Sequence, residues 1–435
     1  MPKFSHLFIA LVLILVPLYP KFPLLGVSGS FVAVRLEDFV LAAVIAIWVL
    51  SRKQSFAALI SLPVHRAIIL YLGIGLIALF SGIFLTKTAL LNQSLLHWVR
   101  RVEYMAMFFV AYDFLTTKAQ LQFLIRTVIL VSFLVAVYGL GQQYFGLPVI
   151  STTNTEFAKG LALSLGAGAR INSTFAGHYD LAAYSVFPLL LIFGLLMTNT
   201  RPKWPLAATG CLVYWTMLLS ASRVTFAAFF LAAGLFILVM RKYLWLVPLT
   251  IIASTSVLAT PQLLGRYREF VINHLFVTAT PVSAQTIPLS QPADQQIPDA
   301  LKPPITPEDR SLNIRLNAEW PRAIRSLKKN PLLGTGFSSV GLATDNDYLR
   351  ALAETGLLGL GAFALIIIRV LRSGIAYLLS PPSDIEPIFI TAVTFGLIGL
   401  LINAVFIDVF EASKVAIITW TLIGLMEKAK TKSLT

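Results

Sequence analysis

Cysteine is almost absent from this chain: Cys211 is the only one in 435 residues, so no disulfide can form within it. Histidine is scarce too, with five copies. No Cys, His, Asp or Glu set recurs at the spacing of a metal site, so neither a metal nor another cofactor is expected. Charge is the third shortage. Only 12% of residues are charged, and Asp plus Glu number 20 against 34 Lys plus Arg, for a formal net charge of +14. The basic residues are scattered at the ends of apolar stretches and form no basic domain, which argues against a nucleic-acid partner. No internal repeat is long enough to mark a repeat architecture.

What fills the chain instead is apolar sequence. It is 57% hydrophobic with a mean hydropathy of +0.80, and runs of bilayer length recur throughout. Length alone would allow two or three soluble domains, but composition overrides that. Hydropathy predicts an all-α integral membrane protein of about twelve spans, near residues 6–25, 37–51, 65–85, 95–115, 121–145, 178–198, 203–221, 223–240, 243–260, 348–371, 386–406 and 410–427. Arg52, Lys53 and Arg66, Lys118 and Arg126, Arg201 and Lys203, Arg241 and Lys242, Arg369 and Arg372, and Lys428, Lys430 and Lys432 then fall on one face. Positive charge marks that face as cytoplasmic and puts both ends there. The opening stretch MPKFSHLFIALVLILVPLYP lacks a clean cleavage site and is read as a retained first helix.

Residues 1–260 therefore carry the first nine spans, 261–347 form a long extracytoplasmic loop, and 348–435 hold the last three spans and a cytoplasmic tail. A second polar connection on the outer side covers 146–177. Within the long loop, Pro281 to Pro307 is rich in Pro, Gln and Ala, which predicts extended chain. The stretch SLNIRLNAEWPRAIRSLKKN follows. Leu312, Leu316, Trp320, Ala323 and Leu327 recur at helical spacing, with Arg315, Arg322, Arg325, Lys328 and Lys329 on the other face. That pattern predicts an amphipathic helix lying on the membrane surface.

Arg100, Arg101, Lys159, Arg170, Arg223, Arg315 and Arg322 all fall at or beyond the outer ends of the spans. Short outer loops normally avoid Lys and Arg. For any one of these, snorkelling to lipid headgroups is the ordinary reading. Several gathered around one outer loop point to an anionic partner, and guanidinium forks match the oxygens of a lipid-linked phosphate or diphosphate.

The run from Arg315 to Gly361 narrows this. An Arg precedes a Trp on an amphipathic stretch (Arg315, Trp320). A Pro-Leu-Leu-Gly-x-Gly turn follows (Pro331, Gly334, Gly336), then a helix start with Asn346, Tyr348 and Leu349, then Glu354, Gly356 and Gly359. Ser222-Arg223 and Arg170 before Ser173-Thr174-Phe175 each stand at the outer start of a span. In these features the chain resembles the O-antigen ligase and O-antigen polymerase family of polytopic membrane glycosyltransferases. The resemblance implies a GT-C-like fold with one long extracytoplasmic loop. It also implies a metal-independent, inverting transfer of a glycan from a polyprenyl diphosphate to an acceptor hydroxyl.

The resemblance implies Arg223, Arg315 and Asp345 as catalytic residues. Arg170, Arg100, Arg101, Trp320, Asn346, Asp347, Tyr348, Glu354 and His178 are the candidate contacts to substrate. The family usually has His where this chain has Asp345, and an ordinary Asp is ionised but weakly basic near neutral pH. Asp345, Asn346 and Asp347 also read as a helix N-cap, as do His178 and Asp180 at the sixth span. Gly356, Gly359 and Gly361 read as close helix contacts. The implied partners are the bilayer, the lipid-linked glycan and a lipid, glycan or protein acceptor. The implied location is a bacterial-type inner membrane with the site facing the periplasm or exterior. Polymerase and protein O-oligosaccharyltransferase activities share the signature. A transporter or flippase of lipid-linked sugars would instead place charges near the midplane and show repeat symmetry.

Overall fold

Alternating apolar helices make up nearly all of the described chain. The structure, a computed structural model, describes residues 4–26, 33–52, 60, 62–150, 162–163, 165, 169–198, 203–259, 315–341, 344–378 and 385–431. Lys159, the Pro281–Pro307 stretch and most of the predicted long loop lie outside these residues. The helices are α1 (Ser5–Leu18), α2 (Leu36–Ser51), α3 (Pro63–Phe80), α4 (Leu91–Phe114), α5 (Lys118–Phe145), α6 (His178–Leu196), α7 (Trp204–Leu219), α8 (Arg223–Val239), α9 (Leu246–Ala259), α10 (Trp320–Lys329), α11 (Asp347–Leu378), α12 (Ile385–Asn403) and α13 (Ser413–Ala429). Two short antiparallel ribbons, Leu25–Gly26 with Ala33–Val34 and Val149–Ile150 with Ala162–Leu163, pin loops.

Among the described residues, five helices are long and apolar enough to cross a membrane: Pro63–Leu85, Lys118–Phe145, His178–Leu196, Asp347–Tyr377 and Ile385–Asn403. Ser5–Leu18, Trp204–Leu219, Arg223–Val239 and Tyr243–Leu258 are shorter apolar helices. The protein is thus an all-α membrane protein. Phe108, Phe114, Phe236, Phe389 and Trp420 are fully buried between helices. Phe84, Leu130, Leu231 and Ile368 stand exposed on the outside, as a lipid-facing surface requires.

Cross-chain bonds show that the helix ends collect into two layers. At one, the Ser5 hydroxyl donates to Phe114 O, Arg52 pairs with Asp113, Lys118 with Glu386, and Arg369 donates to Pro63 O. At the other, Lys414 Nζ donates to Pro17 O, Tyr19 O and Thr174 O, and the Ser413 hydroxyl to Glu37. This second layer gathers the starts of α2, α6, α8, α11 and α13 with the ends of α1, α3 and α12.

A helix break organises that layer. Gly356 has φ 67° and ψ −169°, which interrupts α11. The Pro-Leu-Leu-Gly-Thr-Gly turn satisfies four of the groups around the break. Thr335 and Gly336 N–H donate to the carbonyls of Ala353 and Glu354, while Leu357 and Leu358 N–H donate to Pro331 and Leu332. The two motif halves are therefore one structural unit. Gly356 serves as a positive-φ break rather than as the helix contact expected from sequence, and around Gly361 there is open space.

Candidate functional site

Arg315 opens a wide π turn, Arg315–Glu319, that leads into α10. Such turns widen the helix so that residues four and five apart stand on one side. Arg315 is buried. Its Nε donates to Asp345 Oδ2 at 3.0 Å and its Nη2 lies 2.8 Å from the same oxygen. The Tyr179 hydroxyl is a further side-chain partner of Arg315. Tyr179 follows His178, and Arg170 Nη1 lies 3.0 Å from His178 Nε2, so the neutral ring accepts from the guanidinium. The start of α6 thereby brings Arg170, His178, Arg315 and Asp345 into one neighbourhood.

Asp345 sits just outside α11 in the left-handed region, φ 48°, which Asp tolerates better than most residues. The cap itself is Asn346, whose Oδ1 accepts from Leu349 N at 2.9 Å. Capping therefore falls to Asn346, and the Asp345 side chain is turned to Arg315. Burial raises the Asp345 carboxyl above its ordinary value. Arg315 pulls it back down, and Asp408 pushes it up further.

Asp408, in the turn between α12 and α13, holds this loop in place. Its carboxylate accepts from the N–H groups of Thr344, Asp345 and Asn346 at 3.1, 3.2 and 3.0 Å. It also pairs with Arg350 Nη2 at 2.8 Å. Burial opposes its ionisation, but the Arg350 charge and the backbone donors outweigh that and hold its carboxyl below the ordinary value. Arg223 begins α8 beside the same turn. Ser222 caps the helix, and Thr225 bonds both Ser222 and Asn403, one residue before Ala404, whose carbonyl accepts from Asp347 N. Trp320 packs toward Phe406, ring centroids 6.4 Å apart, with its indole N–H buried and unpartnered.

Other expected residues stand elsewhere. Arg101 pairs with Glu354 at 3.1 Å and with Glu411, and its guanidinium lies 4.3 Å over the Phe337 ring. Glu354 also meets Arg350 and accepts from Ser338 N. Asp347 shares the cavity between them, and its Oδ2 accepts from Phe410 N. That cavity is about 20 Å³, room for one water and none for a sugar or diphosphate. These residues form a buried charge cluster that underpins the loop. Tyr348 donates its hydroxyl to Leu401 O, and Arg100 lies 3.7 Å from Asp38. Removing one partner from a buried ion cluster leaves uncompensated charge, so Glu354→Ala is expected to cost about 3–5 kcal/mol. Arg100→Gln, at a longer and more exposed pair, is expected to cost about 1 kcal/mol or less. Thermal denaturation in detergent checks the order.

Arg350, Asp408 and Glu319 were missed by sequence reading, whereas Glu354 was among its candidates. Arg350 and Glu354 are an i, i+4 pair inside an apolar helix, itself a signal of function. Asp408 is an acid in a short turn between two apolar runs. Glu319 is the one acid among the cations of Arg315–Asn330.

A family model described as O-antigen ligase matches residues 206–364. Over this stretch the chain is similar to the O-antigen ligase family. It runs from α7 into α11 and includes Arg223, Arg315, Glu319 and Asp345, whereas Arg170, His178 and Asp408 lie outside it. At family level this supports an O-antigen ligase-like membrane glycosyltransferase. A comparison with curated proteins gives no match. α10 has the expected basic face, but its Ile324, and Leu316 in the π turn before it, are exposed, and within α10 only Ala323 is fully buried. α10 thus packs on α11 through a small residue and leaves larger apolar side chains outward.

Proposed function

We propose that the protein moves a glycan from a polyprenyl-diphosphate donor to an acceptor hydroxyl at the end of the bundle where α6, α8 and α11 begin. The observation that carries this reading is the Arg315–Asp345 pair beside Arg170–His178, at a helix-end layer rather than mid-bilayer. Arginines neutralise the diphosphate and stabilise the charge that builds on its leaving oxygen, the electrostatic effect that dominates such transfers. Asp345 and Tyr179 use some of the Arg315 N–H donors and leave others for phosphate oxygens. Arg223, at the start of α8, serves the same diphosphate. Direct displacement inverts the anomeric centre, and the arginines do the charge stabilisation that a metal would otherwise supply. A rim location fits an enzyme taking a lipid headgroup better than a transporter, whose charges sit near the midplane.

The direct test incubates the purified protein with polyprenyl-diphosphate sugars and candidate acceptors, and follows transfer by mass spectrometry. Failure of every donor to react would remove this reading. Orientation has its own test. In a Cys211→Ser background, Asn92→Cys lies at the site end and Lys242→Cys at the opposite end, both exposed. Membrane-impermeant maleimide on intact cells is expected to label position 92 and spare 242. The reverse pattern would turn the site toward the cytoplasm.

A further inference from the structure

Three carboxyl groups, Asp345, Asp408 and Glu319, lie near one another at this end of the bundle, and two are already occupied. Asp345 Oδ2 receives both Nε and Nη2 of Arg315. Asp408 receives three backbone N–H groups and Arg350. Glu319 differs. It closes the π turn that Arg315 opens, and its Oε2 is buried without a hydrogen-bond partner. Trp320 Nε1 and Thr344 Oγ1, the neighbours of Glu319 and Asp345 in the chain, are likewise buried and unpartnered. Buried polar atoms left unpaired cost about 1–3 kcal/mol each. Three of them flanking one ion pair mark a place where a polar ligand would complete the bonding.

We propose that Glu319 accepts the proton of the incoming acceptor hydroxyl, and that Asp345 is a positioning residue that aims Arg315. This rests on the glycosyl-transfer reading above. In the step, the acceptor oxygen forms a bond to the anomeric carbon as the bond from that carbon to the diphosphate oxygen breaks. The bonding pair leaves with the polyprenyl diphosphate, which the arginines hold. The hydroxyl proton passes to Glu319 Oε2 and then to solvent. An Asp whose oxygen already receives two guanidinium N–H groups is poorly placed to take that proton, whereas an open carboxylate one π turn away is well placed.

The electrostatics agree with the geometry. The charged groups facing Glu319 are Asp345, Arg315, Asp408 and Arg322. Burial, then the Asp345 charge, push its carboxyl up to about 7, with Arg315 pulling the other way. A base that titrates near the working pH combines availability with driving force. Glu319 acts when deprotonated, so turnover rises with pH through this value. Asp345→Asn removes a negative neighbour, so it must move that limb to lower pH even as it lowers turnover. Arg315→Gln must move it upward.

Two arms test this. In the first, protein labelled with ¹³C at glutamate carboxyls is titrated by NMR, and the Glu319→Gln spectrum identifies the resonance. A midpoint near neutrality that falls in Asp345→Asn is expected. An ordinary carboxylate midpoint, indifferent to Asp345, would overturn the proposal. In the second, a series of synthetic polyprenyl-diphosphate monosaccharides serves as donor. Glu319→Gln is expected to lower kcat by about 10²–10⁴-fold with donor KM unchanged and the acidic limb lost, and Glu319→Asp to recover part of the rate. Wild-type kcat in folded Glu319→Gln would overturn the role. A wild type that transfers nothing while the NMR midpoint stays neutral removes the transfer reading and this role with it, and leaves the coupled carboxyls standing.

Discussion

Arg315→Gln is expected to reduce glycan transfer by about 10²–10³-fold, the loss typical of deleting one donor aimed at developing charge. Arg315 is buried, approaches Asp345 through two of its nitrogens and bonds Tyr179. On the proposed transfer, it therefore needs no reorganisation as charge moves to the diphosphate. Arg315→Lys is expected to recover little, because an ammonium lacks the planar fork that meets Asp345 through two nitrogens while presenting other N–H groups. Asp345→Asn should be the milder change. It keeps an acceptor but loses the charge that fixes Arg315, so donor KM should rise along with the drop in kcat. Asp347→Asn separates the two clusters. Asp347 bonds Phe410 N beside Arg101 and Glu354, so its loss should lower thermal stability and leave donor KM near the wild-type value. Initial-rate kinetics on detergent-purified variants checks all four. An Arg315→Gln enzyme with wild-type kcat/KM would sink the assignment.

Gly356→Ala is expected to prevent the second layer from forming. A Cβ at this position would lie 2.2 Å from Leu332 O, 2.4 Å from Leu332 C and 2.6 Å from Leu333 N. Those are backbone atoms of a turn already bonded on both sides of the break, so none can yield cheaply. The φ of 67° adds left-handed strain. Together, overpacking and backbone strain should cost about 3–5 kcal/mol, enough to displace the 331–336 turn and with it the Arg315–Asp345 pair. Gly361→Ala is the control, since its Cβ meets nothing within 4 Å. Size-exclusion profiles and thermal midpoints should show Gly356→Ala aggregating or melting early, with Gly361→Ala unchanged.

Helix positions were legible in the sequence because the bilayer leaves an apolar segment few choices: its backbone must bond internally. The end that gathers the charges was legible too, from arginines that break the loop-charge bias. The Asn346 cap was within reach as one of three polar residues at a helix start, since capping is a local interaction. The division of labour among charges was not legible. Arg101 and Glu354 meet across 253 positions, and Asp408 reaches back more than 60 to hold Thr344–Asn346. Nothing in a single sequence ties such pairs together. Glu319 is one acid in a basic stretch, and the placement of its carboxyl near Asp345 depends on the π turn.

The sequence by itself determined which segments are helices and which ends collect cations, because both follow from local transfer free energies of side chains and backbone. Only the tertiary structure decided which of those cations join the buried charge cluster and which pair outside it. Arg101 and Arg350 are matched by Glu354, Glu411 and Asp408, with Arg101, Glu354 and Glu411 lining a cavity of about 20 Å³, whereas Arg315 and Arg170 stand apart with Asp345 and His178. That choice rests on packing distances of a few ångströms between distant segments, and Coulomb energies in a poorly solvated interior change steeply over such distances.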